Sequence, residues 1–243
     1  MVALAQVLRY TARQANQKWK SVSQLGNGSD YSLVEPIATY SPWLTDPEFG
    51  AIYKQIAPNT LVDIYRCYEI WQLAGEAMKL PAGDCLEVGT WRGGTGALIA
   101  QRGDGCETFL CDTFQGVVKA GDGDPNYEGG EHADTSREMV QQLLDRTGGR
   151  ARILQGMFPE DTGHLLADRQ FRFCHIDVDV YQGAKDISAW VWPRLVPGGI
   201  VVYDDYGFLA TGGVTKWVNE ERHLTDRLVI HNLNGHAVVI KLR

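Results

Sequence analysis

Residues 173–206 constrain this chain most: two apolar runs, each breaking into a pair of acids, with a helical segment between them. The run 173–176 ends in Asp177 and Asp179, and the run 200–203 ends in Asp204 and Asp205. Uninterrupted apolar runs of this length suit strands covered by helices on both faces. Between them Ala184, Ile187, Val191 and Leu195 recur at three- and four-residue spacing, one apolar helix face over 182–194. Pro197-Gly198-Gly199 is then expected to stop the helix and turn the chain into the second strand. A right-handed crossover sets the two strands side by side, with their carboxyl ends at one edge. Four carboxylates thus converge where open α/β sheets bind ligands. Such a cluster repels itself unless a cation joins it. Several oxygen donors around one point favour Mg²⁺ or Ca²⁺ over zinc. Any one of these acids alone reads more simply as a helix cap or a solvated charge. The four together indicate a metal site.

The same alternation runs through the rest of the chain. A helix is expected over 60–79, with apolar residues at 61, 64, 68, 71 and 78, closed by Pro81-Ala82-Gly83. Strands follow at 85–88, 108–111 and 152–155, with helices at 94–102 and 136–146 between them. Strands alternating with helices predict an α/β sheet with helices on both faces. Two last strands, 227–231 and 237–242, are joined through Asn234-Gly235, a hairpin signal that makes the sheet finish antiparallel. Residues 1–58 are set apart as an N-terminal helical or lid segment, with an amphipathic helix over 2–20, before a main domain over 59–243.

Composition excludes several classes. The formal net charge of −7 and the absence of a basic run argue against nucleic acid as partner. The five cysteines are scattered without zinc spacing and read as small buried residues in a reducing compartment. The start lacks the apolar centre of a secretory signal, and no window is apolar enough to span a bilayer, so a cytoplasmic protein without a membrane partner is expected. A homo-oligomer is the expected assembly.

After the first strand comes Glu87-Val88-Gly89-Thr90-Trp91-Arg92-Gly93-Gly94, a turn that opens a helix. Gly89 permits the tight turn, while Gly93 and Gly94 let backbone approach a ligand at the helix start. A glycine-rich turn alone is a weak signal. It gains weight from Asp112 at the end of the next strand, where nucleotide-binding α/β folds keep the acid that accepts ribose hydroxyls. The spacing E-x-G-x-x-x-G departs from the dinucleotide pattern G-x-G-x-x-G. It suits an adenosyl ligand without a pyrophosphate, of which S-adenosylmethionine is the obvious one.

LEVGTWRGGT, CDTFQGV, GMFPEDT, HIDVDVY, PRLVPGGIVVYDDYG and GGVTKWVNE follow one another in this order. Over about 60–221 the chain thereby resembles the macrocin O-methyltransferase family, whose members methylate sugar and aminocoumarin hydroxyls in antibiotic pathways. The resemblance implies a class I methyltransferase fold, a Rossmann-like seven-stranded sheet. It further implies S-adenosylmethionine as donor, a small-molecule hydroxyl as acceptor, and Mg²⁺ at the acceptor site. Carried over by position, Asp177, Asp204 and Asp205 resemble the metal ligands and Asp179 the general base. Glu87 and Asp112 resemble the cofactor acids. Thr60, Gly89, Thr90, Gly93, Thr113 and Gly156 fall where the family binds its donor. Asp63 replaces the glycine of the family's helix start, and 1–58 matches poorly, so the acceptor stays open.

Three further residues or segments invite roles. His175, among apolar neighbours, reads as a satisfied core histidine, and Lys185 as a solvated helix charge. The insert 121–135 holds acids without calcium-loop spacing and reads as a mobile loop facing the acceptor. The leading expectation is a metal-dependent O-methyltransferase acting on a glycosylated or polyhydroxylated metabolite. The alternatives are the same fold acting on a catechol or a lipid-linked glycan, and a nucleotide-binding or assembly protein without catalysis.

Overall fold

The computed structural model of the chain describes residues 30–31, 34, 38–103 and 105–243. The helix expected over 2–20 lies outside them. The chain divides into two units, Met1–Ser41 and Pro42–Arg243. The second unit starts with α1 (Pro47–Ile56) and α2 (Ile64–Ala77), and continues with β1 (Asp84–Val88), α3 (Gly94–Arg102) and β2 (Thr108–Asp112). Next come α4 (Arg137–Thr147), β3 (Ala151–Gln155), β4 (Phe171–Ile176), α5 (Tyr181–Val191) and β5 (Leu195–Tyr203). It closes with α6 (Gly212–Glu221), β6 (Arg227–His231) and β7 (Ala237–Lys241). The seven strands form one sheet in the order β3-β2-β1-β4-β5-β7-β6. The first five run parallel, and β7 pairs antiparallel with both β5 and β6. The order reverses between β1 and β4, so the carboxyl ends of these two strands flank the sheet's natural crevice.

Strand alternation divides the core into two layers. One face carries Cys85, Phe173 and Val202 against Trp71 of α2, Leu98 of α3 and Leu143 of α4. The other carries Leu86, Phe109 and Val201 against Ile187 of α5 and Val218 of α6. Phe49, Ile52 and Ile56 of α1 belong to the first layer. The boundary drawn at residue 58 therefore falls inside this unit, which begins at Pro42. No helix among the described residues is long and apolar enough to cross a membrane.

Two stretches differ from the sequence expectation, each for a local reason. The helix placed at 60–79 begins only at Ile64, because Asp63 caps it: its carboxylate accepts from Tyr65 N at 2.9 Å and Arg66 N at 3.1 Å. Thr60 stays outside in extended backbone, its hydroxyl accepting from Val62 N. Pro197-Gly198-Gly199 does not end a helix. The helix stops at Val191, a 3₁₀ turn covers Trp192–Arg194, and the three residues lie within β5. There Phe171 pairs with Leu195 but Phe173 with Ile200, so β5 bulges, and Gly198 takes the φ of +79° that the bulge needs. The C-terminal hairpin forms as expected, with Gly235 at φ +103° in its turn.

Candidate active site

A cleft of about 360 Å³ opens at the carboxyl ends of β1, β2, β4 and β5. Its first half is built from backbone. At the end of β2, Asp112 Oδ2 accepts from Thr90 N and Trp91 N, both at 2.7 Å, and Oδ1 accepts from Phe114 N at 2.7 Å. One carboxylate thus ties the β1–α3 turn to the β2 loop while lining the cleft. Thr60, Gly89, Thr90, Thr113 and Gly156 line the cleft with it. Gly89 has φ +87°, and a Cβ there would sit 1.6 Å from the Asp177 carbonyl oxygen. Only glycine permits that approach, which also brings the end of β4 against the end of β1.

Two residues singled out beside these lie elsewhere. Gly93 caps α3 at φ +86° and does not line the cleft; a Cβ there would meet Val140 at 3.0 Å. Its neighbour Gly94 is held small by the Asn59 carbonyl, 2.6 Å from where a Cβ would stand. Glu87 is fully buried and absent from the cleft wall, because alternation along β1 turns it away from the side chain of Val88. Its Oε1 meets His175 Nδ1 at 3.0 Å. The histidine read as a satisfied core residue is buried and only half satisfied: that acid partners Nδ1, while Nε2 has no hydrogen-bond partner among the described residues.

The second half is built from acids. Asp177, Asp179, Asp204 and Asp205 all line the cleft, and one oxygen each from Asp177, Asp204 and Asp205 lie within 4.8 Å of one another. β4 ends at Ile176, so alternation does not carry Asp179 to the same side as Asp177. Asp179 arrives there through left-handed backbone at φ +64°, as Asp205 does at +63°. Aspartate tolerates this region better than most residues, and strain of this kind collects at functional sites. Burial, then the charges of Asp204 and Asp205, push the Asp177 carboxyl well above the usual range. Asp205 is raised in the same way by burial, Asp204 and Asp179. Asp179 is raised by burial, while a hydrogen bond from the Tyr127 hydroxyl at 2.8 Å works against the rise. Burial would raise Asp204 too, but the neighbouring His175 and His236 rings and the Arg66 charge outweigh it and hold it far below.

Acids that repel one another and face one point fit a divalent cation, and Asp205 Oδ2 is buried without a hydrogen-bond partner among the described residues. A donor set of carboxylate oxygens suits Mg²⁺. His175, Asp204 and His236 also cluster within 4.8 Å. There His236 Nε2 already hydrogen-bonds Asp204 Oδ1 at 2.7 Å, and the cluster reads as a hydrogen-bonded network. The insert is fastened at both halves of the cleft. Asp124 is buried and accepts from Tyr181 N at 2.9 Å at the start of α5, in a space that Gly213 leaves open. Asp134 receives the Trp91 indole N–H at 2.9 Å and the Arg92 guanidinium. Trp91, Tyr127, His132 and Phe208 give the cleft an aromatic wall. Lys185 lies over the Tyr181 and Trp217 rings and does not line the cleft.

A family model described as macrocin O-methyltransferase (TylF) matches residues 69–236, more than half of the chain. The chain belongs to this family. Mycinamicin III 3''-O-methyltransferase of Micromonospora griseorubida is 28% identical over 201 residues, covering 75% of this chain and 78% of that protein. A second relative, from Streptomyces olivaceus, is 31% identical over 144 residues, 51% of this chain and 53% of its own length. Its name is 8-demethyl-8-(2,3-dimethoxy-alpha-L-rhamnosyl)-tetracenomycin-C 4'-O-methyltransferase. Among solved structures, the O-methyltransferase NovP superposes with a TM-score of 0.65 at 23% identity, over 76% of this chain and 82% of that one. Membership makes the chain an O-methyltransferase and bears out the sheet architecture expected from the sequence.

Sequence reasoning missed Arg66, Tyr127 and His236, which touch Asp204 or Asp179. They sit in a helix, an insert and a hairpin, and no local spacing ties them to the acids. The one available signal was the excess of negative charge, which called for nitrogen donors from elsewhere.

Proposed function

We propose that this protein is a Mg²⁺-dependent O-methyltransferase that transfers the methyl group of S-adenosylmethionine to a hydroxyl of a small glycosylated or polyhydroxylated metabolite. The observation that carries the reading is the juxtaposition, in one cleft, of an oxygen-only carboxylate trio with a fourth carboxylate, Asp179, beside the Gly89 turn and Asp112. Asp112 would accept a ribose hydroxyl of the donor with the Oδ1 lone pair that its three backbone partners leave free. Thr60, Thr90, Thr113 and Gly156 would close around the donor. Asp177, Asp204 and Asp205 would hold the ion, whose charge lowers the pKa of an acceptor hydroxyl when it is bound. Asp179 would accept the hydroxyl proton at Oδ2, because Oδ1 already receives the Tyr127 hydroxyl. The cleft walls hold the acceptor oxygen and the donor in one geometry, which removes the entropy cost of a bimolecular encounter.

The acceptor class is supported by the relatives' names and by the aromatic wall, whose faces suit the apolar faces of a sugar ring and whose rims bear polar atoms. The deciding experiment is incubation with methyl-labelled donor, Mg²⁺ and a panel of glycosylated natural products, with matched catechols and aglycones. Label in a sugar hydroxyl supports the reading. Label only in catechols or aglycones would displace the acceptor class.

A further inference from the structure

Asp204 is the most heavily fastened of the four acids, and its fastening has a pattern. Three nitrogen-bearing side chains converge on the carboxylate. Arg66 Nη1 donates to Oδ2, His236 Nε2 lies 2.7 Å from Oδ1, and His175 Nε2 stands 3.8 Å from the same oxygen. Each is backed by an acid of its own. Asp63 Oδ2 lies 2.8 Å from Arg66 Nε, Glu69 Oε2 lies 2.7 Å from His236 Nδ1, and Glu87 Oε1 lies 3.0 Å from His175 Nδ1. Each nitrogen partner is thus held from behind by an acid while it faces Asp204. The Glu69 carboxylate is itself fixed by the amides of Asn232 and Asn234 in the β6–β7 turn. A buried pair such as His236 and Glu69 is weak evidence for stability, because desolvation offsets most of its attraction. Its value must be sought in what it orients.

We propose that Glu69 and His236 are positioning residues for the divalent ion: His236 holds Asp204 in its ligating orientation, and Glu69, itself held by Asn232 and Asn234, holds the His236 ring. The proposal rests on the reading of Asp177, Asp204 and Asp205 as the ion's ligands. Partners behind a ligand fix its direction and typically change metal affinity by about 10–100-fold when removed. Neither residue lines the cleft, so neither touches substrate or donor.

The test uses Mn²⁺ as the probe, counted by the electron paramagnetic resonance of the free ion, on the full chain without any acceptor. Wild type, Glu69→Gln, His236→Ala and His236→Gln are compared, with S-adenosylhomocysteine calorimetry and thermal unfolding on each. Glu69→Gln and His236→Ala are expected to weaken Mn²⁺ binding by about 10–100-fold, with S-adenosylhomocysteine affinity near the wild-type value. His236→Gln should recover most of the loss, since the glutamine amide can still donate to Asp204. Wild-type Mn²⁺ affinity in Glu69→Gln and in a folded His236→Ala would overturn the proposal and leave the pair as a staple of the C-terminal hairpin. Should His236→Ala not fold, the isosteric Glu69→Gln decides alone. A wild-type chain that binds no Mn²⁺ overturns the ion site as well, an outcome distinct from normal wild-type binding with unaffected variants.

Discussion

At the ends of β1 and β2 the cleft is finished: Asp112 receives three backbone N–H groups, two from the β1–α3 turn and one from the loop after β2. At the ends of β4 and β5 it is not. Asp177 and Asp205 face each other with pKa values pushed up by burial and by like charge, and Asp205 Oδ2 has no hydrogen-bond partner among the described residues. One half sets its negative charge against backbone dipoles, and the other sets it against more negative charge. On the proposed reading, the contrast teaches that the donor half is shaped by the chain itself, whereas the acid half is completed by a cation. The two halves meet at Gly89, against which the Asp177 carbonyl is pressed.

If that division is real, the halves can be disabled separately. The largest effect is expected from removing the ion. EDTA, or Asp205→Ala, should abolish turnover in a labelled-methyl assay while calorimetry with S-adenosylhomocysteine stays near wild type. Loss of donor binding as well would join the halves and break the comparison. Next comes Asp179→Asn, which should lower turnover by about 10²–10⁴-fold, the range of a general base, with Mn²⁺ and donor affinities retained. Weakened Mn²⁺ binding instead would make Asp179 a ligand.

The donor half answers to Asp112→Ala. Losing a charged acceptor should cost about 1.5–3 kcal/mol, or roughly 10- to 150-fold in S-adenosylhomocysteine affinity, while Mn²⁺ binding persists. Unchanged affinity would remove Asp112 from the donor site.

The smallest effect is on stability against pH. Asp177 and Asp205 have raised folded pKa values, so their contribution to stability is fully present below about pH 4, the unfolded value, and is lost as pH rises through the folded values. Burial would lower His175, but the neighbouring Asp204 and Glu87 carboxylates outweigh it and raise the ring to about 10, so it acts in the same direction. Asp204 is depressed and acts oppositely, its contribution present above about pH 4 and lost on further acidification. Metal-free protein should therefore melt a few degrees higher at about pH 5.5 than at about pH 7.5. Mg²⁺ should raise the melting temperature more at the higher pH, where protons compete less for the same carboxylates. A Mg²⁺ effect independent of pH would place the ion away from these acids.

The sequence by itself determined the alternation of strands and helices, the antiparallel finish and the convergence of Asp177, Asp179, Asp204 and Asp205 at one sheet edge. These are legible because apolar period, strand-end position and crossover handedness are local or nearly universal constraints. Sequence also marked the Gly89 turn and Asp112, since a strand-to-helix turn and the next strand end are fixed by short spacing. Only the tertiary structure decided which way each polar group points. Glu87 looked like a companion of Asp112, yet one residue of alternation turns it onto His175. Pro197-Gly198-Gly199 looked like a stop, yet pairing with β4 made it a bulge inside β5. Asp179 and Asp205 reach the cleft through left-handed backbone that a strand pattern does not announce. Asp204 is held by Arg66 and His236, respectively 138 residues before it and 32 after it in the chain. Buried charge must be balanced within a few ångströms of space, whereas a sequence records only distance along the chain.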